Sequence, residues 1–346
     1  MKSNRDLKVA ALILAHNEAF VIAETVKAVS QALGASDELF VIADNCTDGT
    51  KTVAEEAGAR VFARTKGSVS NKGQALAWFL ENYQKLLRSF DFLLVLDADS
   101  RIDPSYLDSV RENLPNKGKV FQSLVLPAYD SQSPIGRLAA LSYLLDQYVS
   151  DGIRDKLGWS VRLRGTGMLI APDVLFDIHS KLDSSVEDVA LSLLIFSRGV
   201  RVGRIEHAVV YDPVPDSAPA ASRQRARWFR GQWRAAWQYR REISSVLIKG
   251  PEGWSLLSSL FLKPRWLVFA VCSLLAIALS RWWWAALLFW AYVLFGLLYL
   301  IIGLLILPDR KSYFTALLYL PSYVQMWIRS IFLSLRATPW LKAREE

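Results

Sequence analysis

Residues 282–308 form an uncharged run rich in Leu, Trp and Phe, and no other feature restricts the fold of this chain as strongly. About 20 apolar residues suffice to cross the hydrocarbon core of a bilayer, so the run is expected to be a membrane span. A second uncharged run, 266–280, precedes it, with only Arg281 between them. It is short by itself, and the apolar Leu256–Leu262 ahead of Lys263 can extend it. Two close-set spans are therefore expected. A third apolar stretch, 312–335, contains Pro321, Gln325 and Arg329 and suits a kinked span, a re-entrant segment or a helix lying in the interface. Lys263, Arg265, Arg310, Lys311, Arg336, Lys342 and Arg344 flank these segments. Positive flanks favour the cytosolic side, which two spans with both ends inside satisfy best.

The remainder has a different character. Lys2, Arg5, Asp6 and Lys8 occupy the first ten residues without a long apolar run, so neither a signal peptide nor an N-terminal anchor is expected, and the chain is expected to begin in the cytosol. Of the 346 residues 52% are apolar and 21% charged, and 13 Trp, 16 Phe and 12 Tyr can fill a large core. Disorder and a small stapled fold are excluded. Cys46 and Cys272 are the only cysteines, which leaves no disulfide framework and no zinc cluster and fits a reducing compartment. From about residue 9 to 216 short apolar runs alternate with amphipathic stretches. VAALILA, ELFVIA, ARVFA and FLLVLDAD predict buried strands, with helices at roughly 18–33, 47–58 and 71–89. This repeated β-α order predicts an α/β domain whose mostly parallel sheet is covered on both faces and gathers ligands at the carboxyl ends of its strands.

Several polar groups fall at those strand ends. Asp97 and Asp99 follow the run FLLVL, where a spacing of two suits a hard cation, Mg2+ or Mn2+, that takes carboxylates together with substrate phosphates. Two solvated acids starting a turn before Pro104 would look the same. Asp44 closes ELFVIA and is placed for the polar edge of a ligand, as is the trio His16, Asn17 and Glu18 after the first strand. Turn formation and helix capping explain much of the DNCTDGT loop. Lys72-Gly73 opens a helix, where backbone N–H groups and a lysine favour phosphate; a solvated lysine is the plain alternative. Glu187-Asp188 precedes VALSLLIFSRG and can simply complement the helix dipole. Between 223 and 265 lie ten basic residues against Glu242 and Glu252, interleaved with Trp228, Trp233, Trp237 and Trp254. Such a helix suits an anionic membrane surface or a pyrophosphate; single-stranded nucleic acid would accept it too, but the stretch feeds directly into the membrane runs.

In chain order ILAHNE, VIADNCTDGT, NKGQAL, LDADS, GTGM, SVEDVALSL and QRARW closely resemble the membrane-linked inverting glycosyltransferases of family 2, the group of cellulose, chitin and hyaluronan synthases and ceramide glucosyltransferases. The resemblance covers residues 8 to about 240, and the ending PWLKARE resembles bacterial exopolysaccharide members. It implies a Rossmann-like GT-A fold, a nucleotide-sugar donor, a divalent metal and inversion by single displacement. By position it implies that Asp44 contacts the base or ribose with His16, Asn17 and Glu18 nearby, that Asp97 binds donor and that Asp99 ligates the metal. Asp188 matches the last acid of the TED motif, the general base; Val186 stands where Thr is usual. Gln224, Arg227 and Trp228 match QxxRW, with Arg227 against the leaving diphosphate and Trp228 against the acceptor sugar. Lys72 would help hold the phosphates, and Gly165, Thr166 and Gly167 would line the acceptor end.

The expected organisation is a cytosolic GT-A catalytic domain over 1–222, an amphipathic basic interface helix region over 223–262, two transmembrane helices over 263–308, and a third membrane or interfacial helix with a cytosolic tail over 309–346. The expected activity is transfer of a sugar, with UDP the family's usual nucleotide, to a lipid or lipid-linked acceptor in envelope or exopolysaccharide assembly. Membrane lipids, and assembly proteins of that pathway, are the expected partners, and nucleic acid is not. A processive polysaccharide synthase acting with a partner or as an oligomer is the nearest rival. A non-catalytic nucleotide-binding scaffold leaves Asp97, Asp99, Asp188 and QxxRW without work, and a nucleotidyltransferase gives QxxRW no role. The net charge of +8 resides wholly in 223–265; the rest of the chain is neutral.

Overall fold

The computed structural model describes residues 6–66, 71–114, 118–128, 133–215, 217–306 and 310–335. Lys2, Arg5, Arg336, Lys342, Arg344 and the PWLKARE ending lie outside the described residues. The chain runs through β1 (Val9–Ala15), α1 (Ile22–Ala32), β2 (Glu38–Asp44), α2 (Thr50–Glu56), β3 (Arg60–Arg64), α3 (Lys72–Asn82), α4 (Gln84–Leu87), β4 (Phe92–Asp97), β5 (Arg101–Ile102), α5 (Tyr106–Asn113) and β6 (Val120–Pro127). There follow α6 (Pro134–Leu145), α7 (Gly152–Lys156), β7 (Met168–Ile170), α8 (Pro172–Phe176), α9 (Glu187–Ser197), β8 (Val202–Asp212) and α10 (Ala218–Gln238). The last helices are α11 (Arg240–Leu247), α12 (Pro251–Phe261), α13 (Arg265–Ala278), α14 (Trp283–Ile306), α15 (Arg310–Leu317) and α16 (Leu320–Leu335).

Two compact units result. The first comprises Met1–Tyr129, Gly158–Pro213 and Gly231–Glu252; the second comprises Asp130–Leu157, Val214–Arg230 and Gly253–Glu346. Their limits do not follow the linear division at 222, because α6 and α7 join the second unit and the end of α10 with α11 joins the first.

The first unit is built on an eight-stranded sheet in the order β3-β2-β1-β4-β7-β6-β8-β5. All seven residues of β1 and the first five of β4 are buried, as expected of strands covered on both faces. The expected parallel arrangement holds through β3-β2-β1-β4. Beyond β4 the sheet is mixed, since β7 runs antiparallel to both β4 and β6 and β5 antiparallel to β8. Only the three residues MLI make β7, too few to announce a strand by alternation. Helix α1 presents Ile22, Val26 and Val29 to one face of the sheet at helical spacing. Elsewhere in the core Phe40, Phe62, Phe79 and Tyr83 form an aromatic cluster with centroids 4.4–6.0 Å apart.

The second unit is helical. Among the described residues α14 alone is long and apolar enough to cross a membrane, with a mean hydropathy of 2.4 over its best window. Trp283, Leu288, Phe295 and Leu305 on it are 73, 69, 64 and 61% exposed. The expected extension of the preceding run through Leu256–Leu262 does not form. Those residues belong mostly to the separate α12, and α13 has 14 residues, roughly 21 Å at 1.5 Å each. Glycines set the packing of α14: a Cβ on Gly296 would lie 2.7 Å from Phe269, and one on Gly303 only 1.7 Å from a methyl of Leu145.

The third apolar stretch is broken into α15 and α16, with Pro321 in the first turn of α16, where its missing N–H costs nothing. Tyr323, Met326, Trp327 and Ser330 form the buried stripe of α16 against α10, where Phe229 meets Trp327 edge-on at 5.5 Å. Lys263 and Arg265, expected as positive flanks of the membrane runs, both pair with the buried carboxylate of Asp146, Lys263 at 2.5 Å. A buried acid needs such partners to stay charged.

Candidate active site

At the carboxyl ends of the first unit's strands, β4 delivers Asp97 as its last residue and Asp99 in the following turn, and β8 ends on Asp212. One oxygen from each of these three carboxylates lies within 4.8 Å of the others. Asp97 Oδ1 also receives Lys72 Nζ at 2.5 Å, from the first position of α3. Burial and the negative charges of Asp99 and Asp97 raise Asp212 well above the usual carboxylate range, and Lys72 and Ser100 offset this only in part. Three converging carboxylates repel one another unless a cation joins them, and an all-oxygen donor set of this spacing fits Mg2+ or Mn2+. Asp212 was not among the acids expected from sequence. Its strand ends on an acid as β4 does, but only the sheet order brings β8 alongside the DxD turn.

The strand ends of β1, β2 and β3 form a second polar edge. Asp44 is 3% exposed, and its carboxylate receives Arg64 at 2.5 Å from the end of β3. Its carbonyl lies 2.7 Å from His16 Nδ1. Asn17 takes a left-handed φ of 55° and accepts the Thr47 N–H at 2.7 Å, tying the first loop to the second. The Glu18 N–H reaches Thr50 Oγ1 at 2.8 Å, and Asp48 accepts N–H bonds from Thr50 and Ala19, in keeping with the capping role expected for this loop. His16, Asn17, Glu18 and Asp44 thus lie together at these strand ends, with Arg64 beside Asp44.

Gly165, Thr166 and Gly167 run beside the DxD turn. Both glycines have positive φ, 84° and 65°, and a Cβ on Gly167 would sit 2.8 Å from Val210. Thr166 is 1% exposed, its hydroxyl accepting the Asp97 N–H at 3.3 Å and meeting Ser100 Oγ at 2.8 Å. Its side chain therefore braces the Asp97–Ser100 turn from inside.

Glu187 and Asp188 occupy the first turn of α9. Burial pushes Glu187 up to about 8, with the charges of Asp188 and Asp97 adding and Lys72 opposing. Asp188 is also raised by burial, but Arg162 and the Val189 N–H oppose the shift, and it is the more exposed of the two. Val186, in place of Thr, is buried against Gly231, where a Cβ would come within 2.5 Å of its methyl. Asp97, Asp99, Lys72, Asp188 and Gly165–Gly167 thus gather in the first unit. Gln224, Arg227 and Trp228 lie in the part of α10 that belongs to the second unit, half-buried and spaced to share one helix face.

Residues 92–331 match the model described as glycosyl transferase family group 2, and residues 11–154 that of glycosyl transferase family 2. The chain is a family 2 glycosyltransferase. Among curated relatives, this glycosyltransferase is 26% identical to the probable glycosyltransferase YdaM of Bacillus subtilis over 238 residues, covering 65% of the chain and 55% of that protein. It is 24% identical to the poly-beta-1,6-N-acetyl-D-glucosamine synthase of Staphylococcus aureus over 225 residues, covering 64% of the chain and 53% of that protein. The chain spans about half the length of the curated relatives it matches. Glucosyl-3-phosphoglycerate synthase of Mycobacterium tuberculosis, solved with Mg2+ and uridine-diphosphate, is 22% identical with a TM-score of 0.44, covering 64% of this glycosyltransferase and 78% of that chain.

Proposed function

We propose that this glycosyltransferase moves a sugar from a UDP-sugar to a lipid or lipid-linked acceptor at the cytosolic face of a membrane, with inversion at the anomeric carbon. The observation that carries the proposal is the meeting of Asp97, Asp99 and Asp212 beside Lys72 and the Glu187-Asp188 turn, a site with both phosphate-binding and proton-accepting groups. Asp188, ionised, takes the proton of the acceptor hydroxyl as that oxygen attacks the anomeric carbon. The bond to the diphosphate oxygen breaks on the opposite side, and the negative charge that develops there is met by Lys72. Asp97, Asp99 and Asp212 would hold a divalent cation, which when bound supplies further charge neutralisation to the diphosphate. Asp44 with His16, Asn17 and Glu18 receives the nucleoside, and Gly165–Gly167 border the acceptor; by the family resemblance Gln224 and Arg227 would serve the donor and Trp228 the acceptor.

The membrane part of the proposal rests on α14 as a span with α13 packed along it, α16 as an interfacial helix, and the aromatic, basic faces of α10 and α11. Trp233 and Trp237 are 73% and 76% exposed, and Arg240 stacks on Trp237 at 5.3 Å. Exposed Trp with Arg is the composition of a bilayer interface. The similarity to a poly-beta-1,6-N-acetyl-D-glucosamine synthase favours a second reading, polymer synthesis with a partner or as an oligomer.

Membranes carrying the full chain are to be incubated with radiolabelled nucleotide sugars, with Mn2+ or with chelator. Label is expected in solvent-extractable lipid, from a UDP-sugar, and only with metal. Label in material of high molecular mass would instead favour the second reading. Release of sugar phosphate or pyrophosphate without glycosyl product would overturn both.

A further inference from the structure

The segment that carries Glu187 and Asp188 into the site is gripped from two sides, and the grip on the α10–α11 side combines one buried hydroxyl with one ion pair. On the α3 side, Asp183 Oδ1 accepts amide bonds from Asn71 at 3.2 Å and Gln74 at 2.8 Å. The Gly73 N–H reaches the Ser184 carbonyl at 3.2 Å, and a Cβ on Gly73 would lie 2.8 Å from that oxygen, so the backbones are in direct contact. On the other side, Tyr239, between α10 and α11, donates its hydroxyl to the Lys181 carbonyl at 2.7 Å and accepts the Asp183 N–H at 3.4 Å. Glu242 on α11 pairs with Lys181 at 2.9 Å. Tyr239 is 3% exposed, and burial pushes its phenol up to about 12, so it remains a donor through the neutral range. The strap itself, residues 181–186, has no helix or strand hydrogen bonding beyond a single turn at its start. Its course is set by these contacts together with the burial of Leu182, Ser184 and Val186.

We propose that Tyr239 is a positioning residue for the proton acceptor: by fastening the 181–186 strap from the side of α10 and α11, it sets where α9 begins and hence where Asp188 stands against the acceptor. The proposal rests on Asp188 being the general base. Lys72, one residue from the Asn71 contact, approaches Asp97 from the same α3 turn, so the strap links the helix that holds the phosphates to the turn that takes the proton. A base displaced by about 1 Å loses most of its advantage for the acceptor without losing donor contacts.

The test compares Tyr239→Phe, Asp183→Ala and Asp183→Asn in the full chain, with Asp188→Asn alongside. Tyr239→Phe and Asp183→Ala are expected to lower kcat for transfer about tenfold, leave KM for the donor unchanged, and lower the ratio of transfer to donor hydrolysis. Asp183→Asn keeps the accepting Oδ1 and is expected to restore the wild-type ratio. Hydrogen exchange should rise across 181–188 in Tyr239→Phe while the core strands β1 and β4 stay protected. Unchanged exchange in the strap would overturn the latch, and faster exchange with an unchanged transfer ratio would overturn positioning. Full transfer by Asp188→Asn would overturn the base assignment itself, whatever Tyr239→Phe does.

Discussion

Asp188→Asn is expected to abolish sugar transfer, with a loss of about 10³-fold or more, and to leave metal-dependent binding of UDP near wild type. The amide has the shape of the carboxylate and no basicity, so the loss is that of the proton acceptor alone. Glu187→Gln is expected to be much milder, because burial already holds Glu187 near 8 and largely protonated at neutral pH, a state the amide imitates. The pH profile follows from the same environment. A general base works deprotonated, so transfer is present above its pKa and lost as pH falls through it. Burial raises Asp188, with Arg162 restraining the rise, so the acid limb of kcat/KM is expected above the ordinary carboxylate value of about 4. The limb should vanish with the residual activity of Asp188→Asn.

Asp99→Asn is expected to lower Mn2+-dependent UDP binding and transfer by about 10²-fold or more, since a cation held by these carboxylates would supply several kcal/mol of charge stabilisation to the diphosphate. Asp212→Asn separates two effects of opposite sign. Without metal, the variant loses a carboxylate that sits among like charges, so its unfolding temperature is expected to rise. With Mn2+ and UDP the stabilisation seen in the wild type is expected to shrink, because a ligand stabilises only through its affinity for the folded state. Thermal unfolding with and without Mn2+ measures both. A rise in metal-free stability with an undiminished metal shift would remove Asp212 from the donor set.

Much of the candidate site's placement was legible because strand ends concentrate polar residues after apolar runs. Asp44 and Asp97 each close such a run, and Lys72 and Asp188 each stand in the first turn of a helix. Asp212 was not legible, although it also closes a strand, because β8 pairs with β6 and β5, and nothing local says that its end lies beside the DxD turn. Arg64 was missed for the same reason: its value lies in the neighbouring strand's Asp44. The Thr166 hydroxyl is turned inward onto the Asp97–Ser100 turn, a partnership that no local pattern announces. In the second unit, composition marked α14 correctly as a long apolar helix, but could not show that Lys263 and Arg265 are engaged by Asp146, more than a hundred residues away in the chain.

The sequence by itself determined what depends on neighbours along the chain: the strands β1 to β4, the helices between them, the apolar α14, the basic collar, and the motif order that marks a family 2 glycosyltransferase. Periodicity, capping and hydropathy are short-range, and they survive being read one residue after another. The tertiary structure decided the reversal at β7, the third carboxylate, the partners of Asp44 and Asp146, and the strap held between Asp183 and Tyr239. Each of these is a meeting of groups far apart in sequence, and its energy comes from burial and charge that exist only once the chain has closed on itself.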